Sequence, residues 1–317
     1  MPTTQPADLP AGMVAMPEPA AVMVTMDTGV RIHVLDWGAP SSAAPVVVLA
    51  HGLLTTAWTW QPIARRLAGR AHLIAPDLRG HGLSDAPRDG YDLDSLAFDL
   101  LTVLTAFGAG PDVDGPAAHL VGHGFGAQVV AWAAHLRPAA VQSVVLVDGG
   151  WEELEPALRM DAAEFQRGLE EPPEVLASMD ALLADRRDWD PETWDADQER
   201  AVRSAVDEKY AGRVVPVVRR QALAGCVAAM FAYRPGVALS DLDRPLTVVM
   251  AEPGGADDDE ARERRLALDD VLAARSAVGM PTATLVRLSG SAHNLMRYRP
   301  AEVAAAIIDQ LQPREAP

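Results

Sequence analysis

The residues able to do chemistry in this 317-residue chain sit in a few short turns. His293 ends the segment Ser-Gly-Ser-Ala-His and suits proton transfer, because an imidazole changes charge near neutral pH. Three carboxylates are candidates to orient it. Glu252 and Asp257 lie in AEPGGADDDE at 251–260, Glu252 nearer the preceding apolar run and Asp257 beyond a Gly-rich turn. Asp148 opens Asp-Gly-Gly after another apolar run and reads more readily as a turn residue capping a sheet. The acids at 257–259 have the pattern of a solvated helix start. No His/Cys/Asp spacing calls for a metal, and the expectation is of no metal and no cofactor. In the turn Gly122-His123-Gly124-Phe125-Gly126, neither Gly124 nor Phe125 carries a group that can attack a carbonyl. Cys226, the single cysteine, lies in the apolar stretch ALAGCVAAMF and is read as buried rather than nucleophilic.

These turns follow strands. Eight short Val/Leu/Ile-rich runs fall at 21–26, 30–37, 46–50, 71–75, 118–122, 141–148, 246–251 and 282–288. Several are almost continuously apolar, as strands covered on both faces must be. Helical patterns at 57–68, 94–108, 125–137, 259–277 and 301–312 alternate with them, the pattern of a doubly wound α/β sheet. In such a sheet ligands collect at the carboxyl ends of the strands, where the turns above lie. Between Asp148 and Leu246 no convincing strand occurs. Helical patterns near 174–185, 197–209 and 213–233 make this stretch a helical insertion over the sheet. The expected organisation is a disordered arm over 1–20, a core over 21–150, a helical cap over 151–240 and the rest of the core over 241–317.

Composition narrows the class. There are 44 Asp and Glu against 27 Lys and Arg, a net charge of −17. That excess disfavours a nucleic-acid or anionic-membrane surface. Residues 151–200 alone hold 16 acids and 5 Arg, a net of −11. A block of this kind is usually a solvated face; over a pocket it would favour a neutral or cationic small molecule or peptide. No apolar run approaches the length of a transmembrane helix, and the first 20 residues do not read as a secretory signal. With one cysteine, a reducing, cytoplasmic setting is expected. Nothing in the composition addresses the oligomeric state.

The His51-Gly52-Leu53 turn, the segment PDLRGHGLSD (76–85), the G-x-G-x-G turn at 122–126 and the late His293 occur in one order and spacing. Over about residues 24–312 the chain resembles the α/β-hydrolase superfamily. The resemblance implies a mostly parallel eight-stranded sheet flanked by helices, with a helical cap. It makes His293 the counterpart of the catalytic histidine and the backbone amides of Leu53 and Phe125 the counterpart of the oxyanion hole. His123, His81, Asp77 and Arg79 become structural residues of their turns. His51, Trp58, Phe125 and Trp151, each close behind a strand end, are the expected substrate-pocket residues.

The departure is at the elbow. The family's G-x-S-x-G motif holds a nucleophile on a sharp turn, and here that position is Gly124. A glycine keeps the turn and loses the reagent. Fold resemblance alone therefore does not carry serine-hydrolase chemistry to this chain. The expected activity is proton transfer without a covalent intermediate (epimerase, isomerase, lyase or cyclase). Serine-less members such as the bottromycin-pathway peptide epimerase are similar in this respect, which points to natural-product biosynthesis. The alternatives are hydrolysis by water activated at His293, a serine hydrolase with an engineered Ser-to-Gly change, and a ligand-binding protein without catalysis.

Overall fold

The structure, a computed structural model, describes residues 18–171, 173–209, 212–254 and 259–312. Most of the arm expected over 1–20, up to residue 17, lies outside the described residues, as does Asp257. The strands are β1 (Ala20–Thr25), β2 (Arg31–Asp36), β3 (Val46–Ala50), β4 (His72–Pro76), β5 (Ala118–His123), β6 (Val141–Val147), β7 (Val206–Glu208), β8 (Val214–Pro216), β9 (Leu246–Glu252) and β10 (Thr284–Ser289). Eight of them form one sheet in the order β1-β2-β4-β3-β5-β6-β9-β10. β1 and β2 are antiparallel at one edge, and the six strands from β4 to β10 run parallel.

The sheet is covered on both faces, and the alternation along β3 shows why its sequence is apolar throughout. Val46, Val48 and Ala50 pack toward α2 (Leu93–Ala106), α3 (Phe125–Leu136) and α10 (Asp259–Ala277). Val47 and Leu49 pack toward α1 (Gln61–Leu67) and α12 (Pro300–Leu311). Side chains alternate faces along a strand, so a strand buried on both sides needs no polar positions. The segment Leu93–Val113 does reach the length and apolarity of a membrane span, contrary to the expectation from the runs alone. It is a core helix here: Leu96, Leu100, Val103 and Leu104 are buried within the core beside α3.

Residues between β6 and β9 form the insertion, with α4 (Leu154–Leu158), α5 (Ala162–Gly168), α6 (Met179–Trp189), α7 (Ala196–Ser204), α8 (Arg220–Ala232) and α9 (Pro235–Leu239). It is not wholly helical. α7 stops at Ser204, and β7 pairs antiparallel with β8 where continued helix was expected. Val206, Val214 and Val215 are β-branched, and Gly212 at φ +77° supplies a turn that a helix would not contain. α6 likewise starts later than its periodicity predicts, because the Ser178 side chain caps it by accepting from the Ala181 amide. The middle of the insertion, from α6 to α7, is fastened to the core. Arg65 of α1 pairs with both oxygens of Asp197 at 2.9 Å. On α11 (Leu295–Tyr298), Arg297 donates to Thr193 Oγ1 and to the carbonyls of Arg186 and Asp190.

Candidate active site

β5 ends at His123 and α3 begins at Phe125, so the chain must reverse within Gly124. Its backbone lies at φ +52°, ψ −113°, a region that side-chain-bearing residues rarely enter. The approach is close because Gly126 is also bare: a Cβ there would lie 2.3 Å from the Ala50 carbonyl oxygen of β3. A Cβ on Gly124 would lie 3.1 Å from Nε2 of His293 and 3.9 Å from the Gly52 Cα. The elbow therefore has its shape, and the imidazole faces the place of the absent side chain.

His293 sits in the turn between β10 and α11, and its Nδ1–H donates to Asp148 Oδ2 at 2.6 Å. Asp148 follows β6 directly, in left-handed backbone at φ +46°. Its other oxygen accepts from the Ala251 amide and from Arg264 Nη2, both at 2.9 Å. Burial opposes ionisation of this carboxyl, but the His293 hydrogen bond and the Arg264 charge outweigh it and hold its pKa well below the usual carboxylate range. An ionised Asp148 keeps the proton of neutral His293 on Nδ1 and leaves a lone pair on Nε2, directed at the elbow. The Asp148 side chain is 1% exposed, while that of His293 is 63% exposed. The imidazole thus has one end locked and the other open.

Beside it, the His123 ring lies tilted at 39° with 4.4 Å between ring centroids and donates through Nε2 to the His293 carbonyl at 3.0 Å. Burial, helped by His293, pushes the His123 pKa down to about 3, so this ring stays neutral and acts as a wall. The Phe125 amide opens α3, and the Leu53 amide follows Gly52 next to the elbow. Neither donates to a protein acceptor among the described residues. Two such amides can receive negative charge developing on a substrate oxygen.

The structure separates the carboxylate candidates. Asp148, the one read more readily as a sheet cap, contacts His293. Glu252 instead accepts from Ser289 Oγ at 3.1 Å, and its carbonyl accepts the Gly290 amide. It ties β9 to the turn that carries His293 without touching the ring.

The pocket expectation needs correction. The Phe125 and Trp151 side chains are buried in the core, because both chain segments turn inward after their strands. Trp151 donates its indole N–H to the Arg264 carbonyl. His51 is also fully buried; its Nε2 accepts the Leu78 amide and its Nδ1–H donates to the Gly52 carbonyl. Trp58 alone of the four keeps exposed surface, and the Arg200 guanidinium of the cap lies 3.8 Å above its ring. Cys226 is buried, as its apolar surroundings predict.

Asp77, Arg79 and His81 hold their turn. Asp77 accepts from His33 and from the Ala57 and Leu83 amides, and Arg79 is paired with both oxygens of Asp99. Sequence reasoning missed Arg264 and Glu152, which lie behind Asp148, and Arg297, which ties α11 to the cap. No local pattern marks them, since each finds its partner across the fold.

A sheet of this order, with a bare elbow between β5 and α3 and a histidine–carboxylate pair at its carboxyl end, defines an α/β-hydrolase architecture. Residues 47–306 match the alpha/beta hydrolase family, and the chain belongs to it. Among curated relatives, 2-(acetamidomethylene)succinate hydrolase of Mesorhizobium japonicum is 35% identical over 106 residues, 33% of this chain and 36% of that protein. Epoxide hydrolase A of Mycobacterium tuberculosis is 41% identical over 123 residues, 37% of this chain and 35% of that protein. The matched region thus spans about a third of these relatives. The crystal structure of E-2-(acetamidomethylene)succinate hydrolase covers 92% of this chain and 99% of its own, with a TM-score of 0.72 at 24% identity, a likeness of fold. The thioesterase domain from the curacin biosynthetic pathway gives 0.64 at 20% identity, covering 92% and 99%.

Proposed function

We propose that this chain is an enzyme in which His293 acts directly on the bound substrate as a general base, with no covalent intermediate. The observation that carries this reading is the placement of Nε2, 3.1 Å from where a Gly124 Cβ would stand, with Nδ1 held by Asp148. Nε2 takes a proton from carbon next to a carbonyl, and the electron pair of that C–H bond moves onto the carbonyl oxygen. The Leu53 and Phe125 amides hold the resulting enolate. Return of the proton to the opposite face gives epimerisation, expulsion of a β-substituent gives elimination, and attack on a second group gives cyclisation. The setting that fits such chemistry is the tailoring of a natural product.

The ligand is a neutral or cationic small molecule or modified peptide, since the stretch from 151 to 200 carries a net charge of −11. His293 stands 63% exposed, and Phe125 and Trp151 are buried in the core, which favours a peptide segment over a fully enclosed apolar molecule.

The test is deuterium uptake from heavy water into a panel of neutral and cationic acylated peptides, followed by mass spectrometry. Exchange that disappears in His293→Ala supports the reading; binding without exchange makes the protein a ligand carrier instead. A fluorophosphonate probe should leave the protein unlabelled, and Gly124→Ser should acquire labelling. A second reading, hydrolysis by water held in the place of the absent hydroxyl, is favoured by the relatives named as hydrolases. Incorporation of oxygen-18 from water into product, without carbon-bound deuterium, would select it.

A further inference from the structure

Behind Asp148 lies a cluster of charge that never touches the elbow. Arg264, on α10, donates through Nη2 to Asp148 Oδ1 at 2.9 Å and through Nε to Glu152 Oε1 at 3.2 Å. The other Glu152 oxygen accepts the Trp151 amide at 3.1 Å. Trp151 encloses the guanidinium: its ring centroid is 5.0 Å away, and its indole N–H donates to the Arg264 carbonyl. The side chains of Asp148, Glu152 and Arg264 are 1%, 7% and 12% exposed. Water therefore screens this cluster little, and its net charge of one negative is felt by whatever it touches.

What it touches is His293. Arg264 paired with Asp148 alone would leave a neutral unit behind the imidazole, with little to attract a proton. Glu152 restores the missing negative charge two bonds further back. We infer that Glu152 and Arg264 are positioning residues that jointly set the proton affinity of His293 through Asp148, with opposite signs. Glu152 makes the imidazole a stronger base, and Arg264 a weaker and more firmly oriented one. Among the described residues, the other groups facing His293 do not duplicate this: His123 is neutral, and Glu252 is bonded to Ser289 on the adjoining turn. Trp151 thereby gains a role in place of the pocket one, as the wall that keeps the guanidinium between two carboxylates.

The inference takes its functional meaning from the base role of His293, but its test needs no substrate. The 317-residue protein labelled at histidine Cε1 is titrated by NMR, with the His293 signal assigned from its loss in His293→Asn. Glu152→Gln should lower the His293 midpoint by about half a pH unit, and Arg264→Met should raise it by about the same. The double variant restores the net charge of one negative and should return the midpoint to its starting value. Arg264→Lys keeps the charge and should stay close to it. Shifts of the same sign, or none, would overturn the inference, because a purely structural disturbance cannot move the midpoint in two directions. If Arg264→Met does not fold, Glu152→Gln and the double variant still decide. Opposite shifts with no deuterium exchange in any variant would leave this coupling standing and remove the proposed reaction.

Discussion

The molecule contains the same chemical pair in two settings. Asp148 holds His293 at 2.6 Å, and Asp77 holds His33 at 2.8 Å, each through Nδ1 of the ring. Each carboxylate also accepts from two more donors: Ala251 and Arg264 for Asp148, the Ala57 and Leu83 amides for Asp77. In both, burial is outweighed by these partners and the carboxyl pKa falls. The difference is on the histidine side. His33 is 5% exposed and His293 63% exposed, so one ring is sealed and the other presents a free nitrogen. A carboxylate–histidine pair sealed at its second nitrogen can only fasten, whereas one open there has a nitrogen able to take a proton.

The largest effect expected from breaking this comparison is on the open pair. His293→Ala should reduce proton exchange by about 10²- to 10⁴-fold, the usual contribution of a positioned base, while changing the urea midpoint little. A matching loss of stability would place His293 in the same class as His33. Second comes the sealed pair. Asp77→Ala leaves His33 and two amides without an acceptor in a buried turn, and should lower unfolding stability by about 3 kcal/mol. That is measurable by urea titration, and an undiminished midpoint would mean the turn is held by other bonds.

The third prediction uses pH. Burial, together with the neighbouring His51, lowers the His81 pKa to about 3, and burial with His293 lowers that of His123 to about 3. In the unfolded chain both would titrate near the ordinary histidine value of about 6.5. A lowered folded pKa means that the stabilisation is complete above the unfolded value. It is lost as pH falls from there toward about 3, because the unfolded chain then binds more protons. These two residues should together lower unfolding stability by about 2 kcal/mol between pH 6 and pH 5. His81→Asn should flatten that slope, whereas His293→Ala should not.

Much of this was readable beforehand, and the misses share a cause. The eight apolar runs became the eight strands of the sheet; in β3, β5 and β6 burial on both faces marks nearly every residue, while the edge strands β1 and β10 are mostly exposed. The bare elbow and His293 were legible because their spacing from the strand ends is local. Asp148 as the partner, with Arg264 and Glu152 behind it, was not, since α10 meets β6 only in the folded chain. Trp151 and Phe125 failed as pocket residues for the same reason: a position after a strand says nothing of which way the side chain turns. The hairpin of β7 and β8 was overlooked because three-residue strands are too short for an alternation to register.

The smallest effect sharpens the comparison by adding an intermediate. His72 bonds Asp36 through Nε2 at 2.8 Å, with the two side chains 17% and 22% exposed, and its ring meets Phe107 edge-on at 5.8 Å. This pair fastens β4 to β2 at the end of the sheet remote from the elbow, and solvent reaches both groups. His72→Ala removes one partly screened hydrogen bond and one ring contact, so it should cost about 1 kcal/mol in urea unfolding. Proton exchange at His293 should be unchanged. If the loss instead equals that of Asp77→Ala, exposure does not grade these pairs, and the distinction between His33 and His293 must come from the groups around them. A loss near 1 kcal/mol, between the effects at the sealed and open pairs, would make solvent access the variable that converts one motif from fastening to chemistry.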